Sequence, residues 1–156
     1  MNTLTTWALR IDPLRGLLST LSNLLALGMR LYVAHDFFLS GLTKIRDWSS
    51  TLYLFREEYH VPLLPPEAAA VMGAFGELFF PVLLALGLGG RFAAFSLSVV
   101  NLVAVISYPG LAPAALKDHY IWASMLLVIL FYGPGKISID ALLWPRLTGR
   151  KEQSDA

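Results

Sequence analysis

Four apolar runs, separated by polar or glycine-rich stretches, dominate the pattern of hydrophobic positions along the chain. The runs cover about 24–44, 68–87, 92–108 and 119–133. An α-helix rises about 1.5 Å per residue and the hydrocarbon core of a bilayer is about 30 Å thick, so runs of this length predict membrane-spanning helices. The fourth run is short by this measure, and we expect its helix to begin nearer Ala112. The pattern predicts an all-α fold, an integral membrane four-helix bundle with interfacial amphipathic helices.

Amphipathic segments flank these spans. Leucines recur at three- and four-residue steps over 14–25, which predicts that residues 1–23 form an amphipathic helix that lies on the membrane surface and turns into the first span. In the connection 45–67, apolar residues at helical spacing predict a short interfacial helix that ends at the prolines 62, 65 and 66. Residues 136–147 predict a second surface helix.

The predicted organisation is therefore one membrane domain with two flanking segments. They are an N-terminal segment over 1–23, the membrane domain over 24–142 and a polar C-terminal tail over 143–156. No small-residue cleavage site precedes the first span, so we expect no cleaved signal peptide.

Composition agrees with a lipid-exposed chain. The sequence is 56% hydrophobic and 15% charged, whereas soluble domains are about 25% charged. A net charge of +1 without a basic patch predicts no nucleic-acid partner. The chain has no cysteine, which excludes disulfides, thiolate metal sites and thiol chemistry of its own.

The distribution of Lys and Arg predicts an orientation. With four spans both termini share a side, and that side carries Arg10, Arg15, Arg91, Lys136, Arg146, Arg150 and Lys151. The opposite side carries Lys44, Arg46, Arg56 and Lys117. The positive-inside rule therefore places both termini in the cytoplasm.

Ionisable residues within the spans are the candidates for chemistry, because such groups usually face protein or a water-filled cavity. Depths counted from the predicted inner ends place Asp36, Glu77 and Asn101 within roughly 5 Å of one level, which suggests one shared interior site. Arg30 lies about 9 Å nearer the cytoplasm, and its long side chain could reach Glu77.

Helical angles separate the polar residues of the first span. Arg30, Gly41 and Lys44 share one face and are expected to line the bundle interior. His35 and Asp36 point elsewhere, and we expect one of them to face a second helix or another subunit.

The functional hypothesis is an outward-opening polar pocket that holds an anionic or quinone-like head group. Its candidate ligand-binding residues are Arg30, Asp36, Lys44, Glu77, Asn101 and His119. A cationic side chain can donate to a quinone oxygen and a carboxylate can relay protons. The alternative is that Arg30 and Glu77 form a buried ion pair that only fixes helix register. No catalytic residue is assigned.

Metal and haem sites are disfavoured. A membrane b-type haem needs two axial ligands at similar depth, commonly histidines. Only His60 and His119 share a level, and both lie outside the predicted hydrocarbon region.

Several stretches together resemble the DoxX family of small bacterial membrane proteins. They are RLYVAHDFFLSGLTKI in the first span, VPLLPP over 61–66, GELFFPVLLALGLGGRFAA over the second turn, and GPGKISID over 133–140. The positions that match the family pattern are Arg30, Gly41, Lys44, Glu77, Gly133, Gly135, Ser138 and Asp140. The resemblance implies a four-helix bundle in the bacterial inner membrane.

The resemblance also implies a link to quinone-coupled oxidation, because family members include a subunit of thiosulfate:quinone oxidoreductases. Two functions stay open: a component of a quinone-linked redox system, and a non-catalytic scaffold that docks a partner through 45–67. A protein partner and oligomerisation are compatible with both.

Overall fold

The structure is a computed structural model that describes the backbone of residues 3–148 and the side chains of residues 14–146. Within this range the chain forms helices and loops, with no strand. The helices are α1 (Thr3–Arg46), α2 (Trp48–Glu57), α3 (Pro66–Leu86), α4 (Gly90–Ser107), α5 (Pro113–Tyr132) and α6 (Ile139–Thr148). Among them α1, from Leu14, α3, α4 and α5 are long and apolar enough to cross a membrane. The predicted all-α, four-span architecture is confirmed.

Helix α1 differs from the prediction for its N-terminal half. It runs as one helix of 44 residues from Thr3 to Arg46, instead of turning near residue 23. Kinks require a proline, a glycine pair or a bulge, and residues 14–46 contain no proline. The structure thus corrects the separate surface helix over 1–23, whose first side chains, up to residue 13, lie outside the described part.

The shorter elements follow the sequence more closely. Helix α2 is the short helix predicted in the connection, and α5 begins at Pro113, next to the expected Ala112. Helix α6 occupies most of the predicted 136–147 segment and continues to Thr148. The predicted polar tail therefore begins as helix, and its residues 149–156 lie outside the described part.

The four long helices close into a ring in which α1 packs on α3 and α5, and α4 packs on the same two helices. The core at the centre of this ring is fully buried; it includes Val33, Phe37, Leu84, Ala93, Leu97, Leu126 and Ile129. Helix α2 folds over one end of α3 and buries Phe55 against Ala69 and Ala70.

The outer surface of the ring is apolar. In each of the four spans, no more than 39% of the residues in the most apolar stretch are buried by other parts of the protein. Large side chains such as Phe75, Phe92 and Phe131 are mostly exposed. A bilayer provides the apolar surroundings that this surface requires. We name the two ends of the bundle the α2 end, with residues 45–65 and 108–112, and the α6 end, with residues 87–89 and 133–138.

Candidate functional site

Lys44 and Glu77 form an ion pair between α1 and α3 near the α2 end. The Nζ atom of Lys44 lies 2.5 Å from Oε2 of Glu77 and donates a second hydrogen bond, of 3.0 Å, to Oγ of Ser40. The two charged side chains are 19% and 10% exposed, so salt and water screen the pair little. Charge-assisted hydrogen bonds of this kind hold both groups in a defined position.

Gly41 sets the register that brings this pair together. A Cβ atom at position 41 would lie 3.0 Å from the backbone carbonyl carbon of Glu77 and 2.8 Å from Cγ of Leu78. Only a residue without a Cβ allows α1 and α3 to approach this closely. Lys44 lies three residues after Gly41 on the same helix face, so the close approach carries its side chain to Glu77.

A cavity of about 250 Å³ adjoins the ion pair. It is lined by Ser40, Thr43, Lys44, Thr51, Leu54, Phe55 and Tyr59. Hydroxyl groups and an ammonium group combined with apolar surface are typical of sites that orient a small polar head group. The hydroxyl of Thr51 donates a 3.0 Å hydrogen bond to the carbonyl oxygen of Lys44, which fixes α2 over the end of α1. A second cavity, of about 180 Å³, shares Phe55 and Tyr59 with the first.

Tyr59 remains a hydrogen-bond donor at neutral pH. Burial raises the pKa of its phenol, and the neighbouring Tyr108, Glu58 and Glu77 raise it further because they disfavour a second negative charge. Its ring packs edge-on against Phe55 and Tyr108, with centroids 5.0 and 5.1 Å away. The cavity is thus lined by a neutral phenol and by the ammonium of Lys44.

A second polar group links α1, α5 and α4. The indole Nε1 of Trp122 donates a 3.0 Å hydrogen bond to Oδ2 of Asp36, and the Trp122 ring packs edge-on against His119 at 5.0 Å. Nδ1 of His119 lies 2.6 Å from Oδ1 of Asn101, whose amide donates a 3.0 Å hydrogen bond to the carbonyl oxygen of His119. The carboxylate of Asp36 also lies 3.2 Å from Nδ1 of His35, which is 67% exposed.

Arg30 occupies a third position, at the α6 end. It is 1% exposed and donates from Nη2 to the carbonyl oxygen of Ile137. Within the described residues its Nε and Nη1 have no hydrogen-bond partner. Gly87 has a positive φ of 65°, and a Cβ there would collide with Nη1 of Arg30. The guanidinium therefore fills the space under the α3–α4 turn.

The structure corrects the predicted Arg30–Glu77 ion pair. Gly41 lies level with Glu77, and Arg30 precedes Gly41 by 41 − 30 = 11 residues, about 16 Å along the helix. The prediction assumed that the inner ends of the first two spans, at Leu24 and Gly87, lie at the same height. In the structure Gly87 lies beside the Arg30 side chain instead, so the two helices are offset along their axes.

The six candidate residues fall into three groups instead of one pocket. Lys44 and Glu77 form the ion pair, Asp36 joins the group that contains His119 and Asn101, and Arg30 lies alone at the α6 end. The expectation that Asp36 faces a second helix agrees with its bond to Trp122 of α5. No cluster of three or more His, Asp or Glu residues suited to a metal ion occurs in the described part of the chain.

Three residues around these groups were not predicted from the sequence: Ser40, Tyr59 and Trp122. Ser40 precedes Lys44 by one helical turn, and Trp122 follows His119 by three residues, so helical spacing alone could have paired each with its neighbour. Nothing in the spacing signals Tyr59, because it depends on how α2 folds over the bundle.

A closed ring of four apolar helices with polar residues paired inside defines an integral membrane four-helix bundle. The sequence profile of the DoxX family matches residues 25–109, just over half of the chain, so the chain belongs to the DoxX family. The chain is also similar to an uncharacterized protein of Haemophilus influenzae, with 30% identity over 124 residues that cover 74% of this chain and 80% of that protein. No solved structure matches it.

Proposed function

We propose that the chain binds the head group of a quinone in the cavity beside Lys44 and serves as the membrane component of a quinone-linked redox system. The observation that carries the proposal is the donor arrangement at Lys44. An ammonium group has three N–H donors, and Lys44 uses two of them on Glu77 and Ser40. One donor remains beside a cavity into which a carbonyl oxygen fits.

The size and lining of the cavity suit a head group. Sites that enclose a complete drug-sized ligand measure about 300–1,000 Å³, and this cavity measures about 250 Å³. It would hold a ring, and the isoprenoid tail would remain in the bilayer, which surrounds the apolar outer face of the bundle. Tyr59 also lines this space, whereas the hydroxyls of Thr43 and Thr51 donate to the carbonyl oxygens of Leu39 and Lys44 and can only accept there.

The residues of this chain would bind the ring and orient it, with the Glu77 carboxylate holding the Lys44 ammonium in place. A bound quinone would supply the two-electron redox chemistry, and the electrons would come from a partner protein. No residue of the chain is assigned an electron-carrying role, which agrees with the absence of cysteine from the sequence.

We further propose that the chain lies in the bacterial inner membrane with both termini in the cytoplasm. The terminal side carries seven Lys and Arg residues and the opposite side four, as enumerated above. This orientation places the α2 end, with the cavity, at the outer face. A single cysteine at Ser50 in the otherwise cysteine-free chain should react with an impermeant maleimide from outside intact cells, whereas one at Arg146 should not.

Titration of a short-chain ubiquinone analogue into the purified chain in nanodiscs tests the binding site. Saturable binding is expected for the natural chain. Lys44→Met should weaken it about tenfold or more, because a hydrogen bond to a charged donor contributes about 1.5–3 kcal/mol. Lys117→Met removes an exposed lysine near the same end of the bundle and should leave the affinity unchanged.

The double variant Lys44→Met with Glu77→Met controls for misfolding of the single variant. It removes both charges together and so leaves no unpaired buried carboxylate. It should fold and still bind the quinone weakly. Absence of saturable binding, or equal affinity in the Lys44→Met and Lys117→Met variants, would contradict the proposal. That result would leave the alternative of a non-catalytic scaffold that docks a partner through 45–67.

A further inference from the structure

His35 and Asp36 form a polar pair on the outer surface of the bundle. Nδ1 of His35 lies 3.2 Å from Oδ1 of Asp36, and the indole N–H of Trp122 donates to Oδ2 of the same carboxylate at 3.0 Å. The His35 side chain is 67% exposed, whereas that of Asp36 is 27% exposed. The imidazole therefore faces away from the bundle, and the carboxylate and the indole lie behind it.

This pair lies at the middle of a span. Trp122 lies 122 − 113 = 9 residues from the first residue of α5 and 132 − 122 = 10 residues from the last, about 14–15 Å from either end. Its hydrogen bond to Asp36 places the neighbouring His35 ring at about the same level. Because α5 is long and apolar enough to cross a membrane, this level falls within the hydrocarbon, where no water is available to the imidazole.

The hydrogen bonds determine which nitrogen of His35 carries the proton. The indole N–H of Trp122 can only donate, so Oδ2 of Asp36 accepts from it. The other oxygen then accepts from Nδ1–H of His35, which leaves Nε2 of the neutral ring as an acceptor. An acceptor in an apolar environment is costly unless a donor meets it. A molecule that covers this ring must therefore bring a hydroxyl or N–H group.

The surroundings of His35 favour a small molecule over another helix. The residues one helical turn before and after it are all large and partly exposed; they are Leu31, Tyr32, Phe38 and Leu39. Helices that associate in membranes do so mainly through small residues, which let their backbones approach closely. A single ring with one polar group can reach the imidazole past these side chains, and at this depth it arrives from the bilayer.

We infer that His35 and Asp36 form a second binding site, which takes the hydroxyl group of a lipid-soluble phenol directly from the bilayer. The ligand donates its O–H to Nε2 of His35, and its alkyl part stays among the lipid tails. Asp36 and Trp122 hold the imidazole in position.

This site is separate from the cavity at Lys44. Lys44 follows His35 by 44 − 35 = 9 residues, which turns it to the opposite face of α1 and moves it about 14 Å along the helix. Lys44 donates and suits a quinone carbonyl, whereas His35 accepts and suits a hydroxyl. The reduced form of a quinone carries such a hydroxyl, and this link between the two sites rests on the proposed function.

Photolabelling of the purified chain in nanodiscs tests the site. The probe is a 4-alkylphenol with a diazirine at the start of its alkyl chain, and cleavage after Arg30 and Lys44 releases residues 31–44 as one peptide. Labelling within 31–39 is expected, and excess 4-nonylphenol should suppress it. The methyl ether 4-nonylanisole has nearly the same size but no O–H group, and it should compete at least fivefold less well. The probe contains no quinone, so the result does not depend on quinone binding at Lys44.

Variants at position 35 identify the acceptor. His35→Phe should lower the labelling about fivefold, as expected for the loss of one neutral hydrogen bond. His35→Gln keeps an acceptor oxygen and should retain more of the labelling than His35→Phe. His60→Phe alters an exposed histidine at the α2 end and is the matched control, which should label as the natural chain does.

Three results would overturn the inference. Equal competition by the phenol and its ether would show that the probe only partitions into lipid beside α1. Unchanged labelling of His35→Phe would show that the imidazole does not bind the hydroxyl. Absence of labelling within 31–39, as when a second polypeptide covers His35, would show that no phenol reaches the ring.

Discussion

Lys44 and Glu77 show how a charged residue becomes acceptable within an apolar helix. Each is costly to bury alone, and each neutralises the other at 2.5 Å in a mostly buried setting. The pair depends on a third residue with no side chain, since only Gly41 lets the helices come close enough.

Lys44→Met is predicted to lower the free energy of unfolding by about 3–5 kcal/mol, because it leaves the Glu77 carboxylate buried without its cation. Denaturant or thermal unfolding in detergent measures this change. Lys117→Met, at an exposed position, should change the unfolding free energy by no more than about 0.5 kcal/mol. Equal effects of the two substitutions would show that the ion pair does not stabilise the fold.

The sequence predicted which residues of α1 point inward but not what they meet. Helical angles correctly placed Arg30, Gly41 and Lys44 on one face. Pairing across helices needs the relative height of two helices, and height was counted from predicted ends. Helix α1 extends far beyond the bundle, so Leu24 does not mark the level at which α3 ends. Arg30 lies closer to that level, and the predicted heights were therefore wrong by the rise from Leu24 to Arg30, about 9 Å.

At the scale of elements, the α3–α4 turn is held by a residue from a distant part of the chain. The two carboxylate oxygens of Asp140 accept 2.8 Å hydrogen bonds from the backbone N–H groups of Gly89 and Gly90, at the start of α4. The backbone N–H of Asp140 donates to the carbonyl oxygen of Gly87 at 3.0 Å. Helix α4 begins with a glycine and has no side-chain cap of its own, so Asp140 provides the cap.

Asp140→Ala should therefore destabilise the chain by about 1–2 kcal/mol, the usual effect of losing an N-cap. Asp140→Asn retains one acceptor oxygen and should have a smaller effect. Amide hydrogen exchange over residues 90–93, combined with unfolding in detergent, measures both. Unchanged protection of these amides in Asp140→Ala would contradict the assignment of the cap.

Helix α2 should weaken in acid because of Asp47. The Ser50 hydroxyl, the Ser50 backbone N–H and the Ser49 hydroxyl all donate to its carboxylate and hold its pKa below the usual value. The stabilisation is therefore complete above the unfolded pKa of about 4 and is lost as pH falls through the lower folded value.

Hydrogen-exchange protection of residues 51–57, corrected for the intrinsic exchange rate, should fall in acid in the natural chain. Asp47→Asn keeps an acceptor oxygen without a titrating group, so its protection should not depend on pH over this interval. The same acid dependence in both chains would assign the effect to another carboxylate.

At the scale of the whole molecule, the sequence predicted the spans because burial in lipid leaves a local signal. Run length and composition located α3, α4 and α5 to within a few residues. The tertiary arrangement left no such signal, because the contacts of Tyr59, Trp122 and Asp140 join elements far apart in the chain. Glycines at points of close approach, such as Gly41, are the part of the sequence that carries this information.

Two of the three polar groups lie at opposite ends of the bundle, and the third, with Asp36, His119 and Asn101, links α1, α5 and α4. The α2 end holds the ion pair and the cavity, and the α6 end holds Arg30 and the Asp140 cap, both of which serve the α3–α4 turn. The proposed head-group site therefore depends on the register between α1 and α3 more than on any other contact.

Chemical cross-linking in membranes measures that register directly. In the cysteine-free chain, Lys44→Cys with Glu77→Cys should be joined within one chain by a short bifunctional thiol reagent, because the natural side chains meet at 2.5 Å. Arg30→Cys with Glu77→Cys should not be joined by the same reagent, because Gly41 lies level with Glu77 and Arg30 is about 16 Å from Gly41 along the helix. A cross-link in the second pair and none in the first would contradict the register and, with it, the site at Lys44.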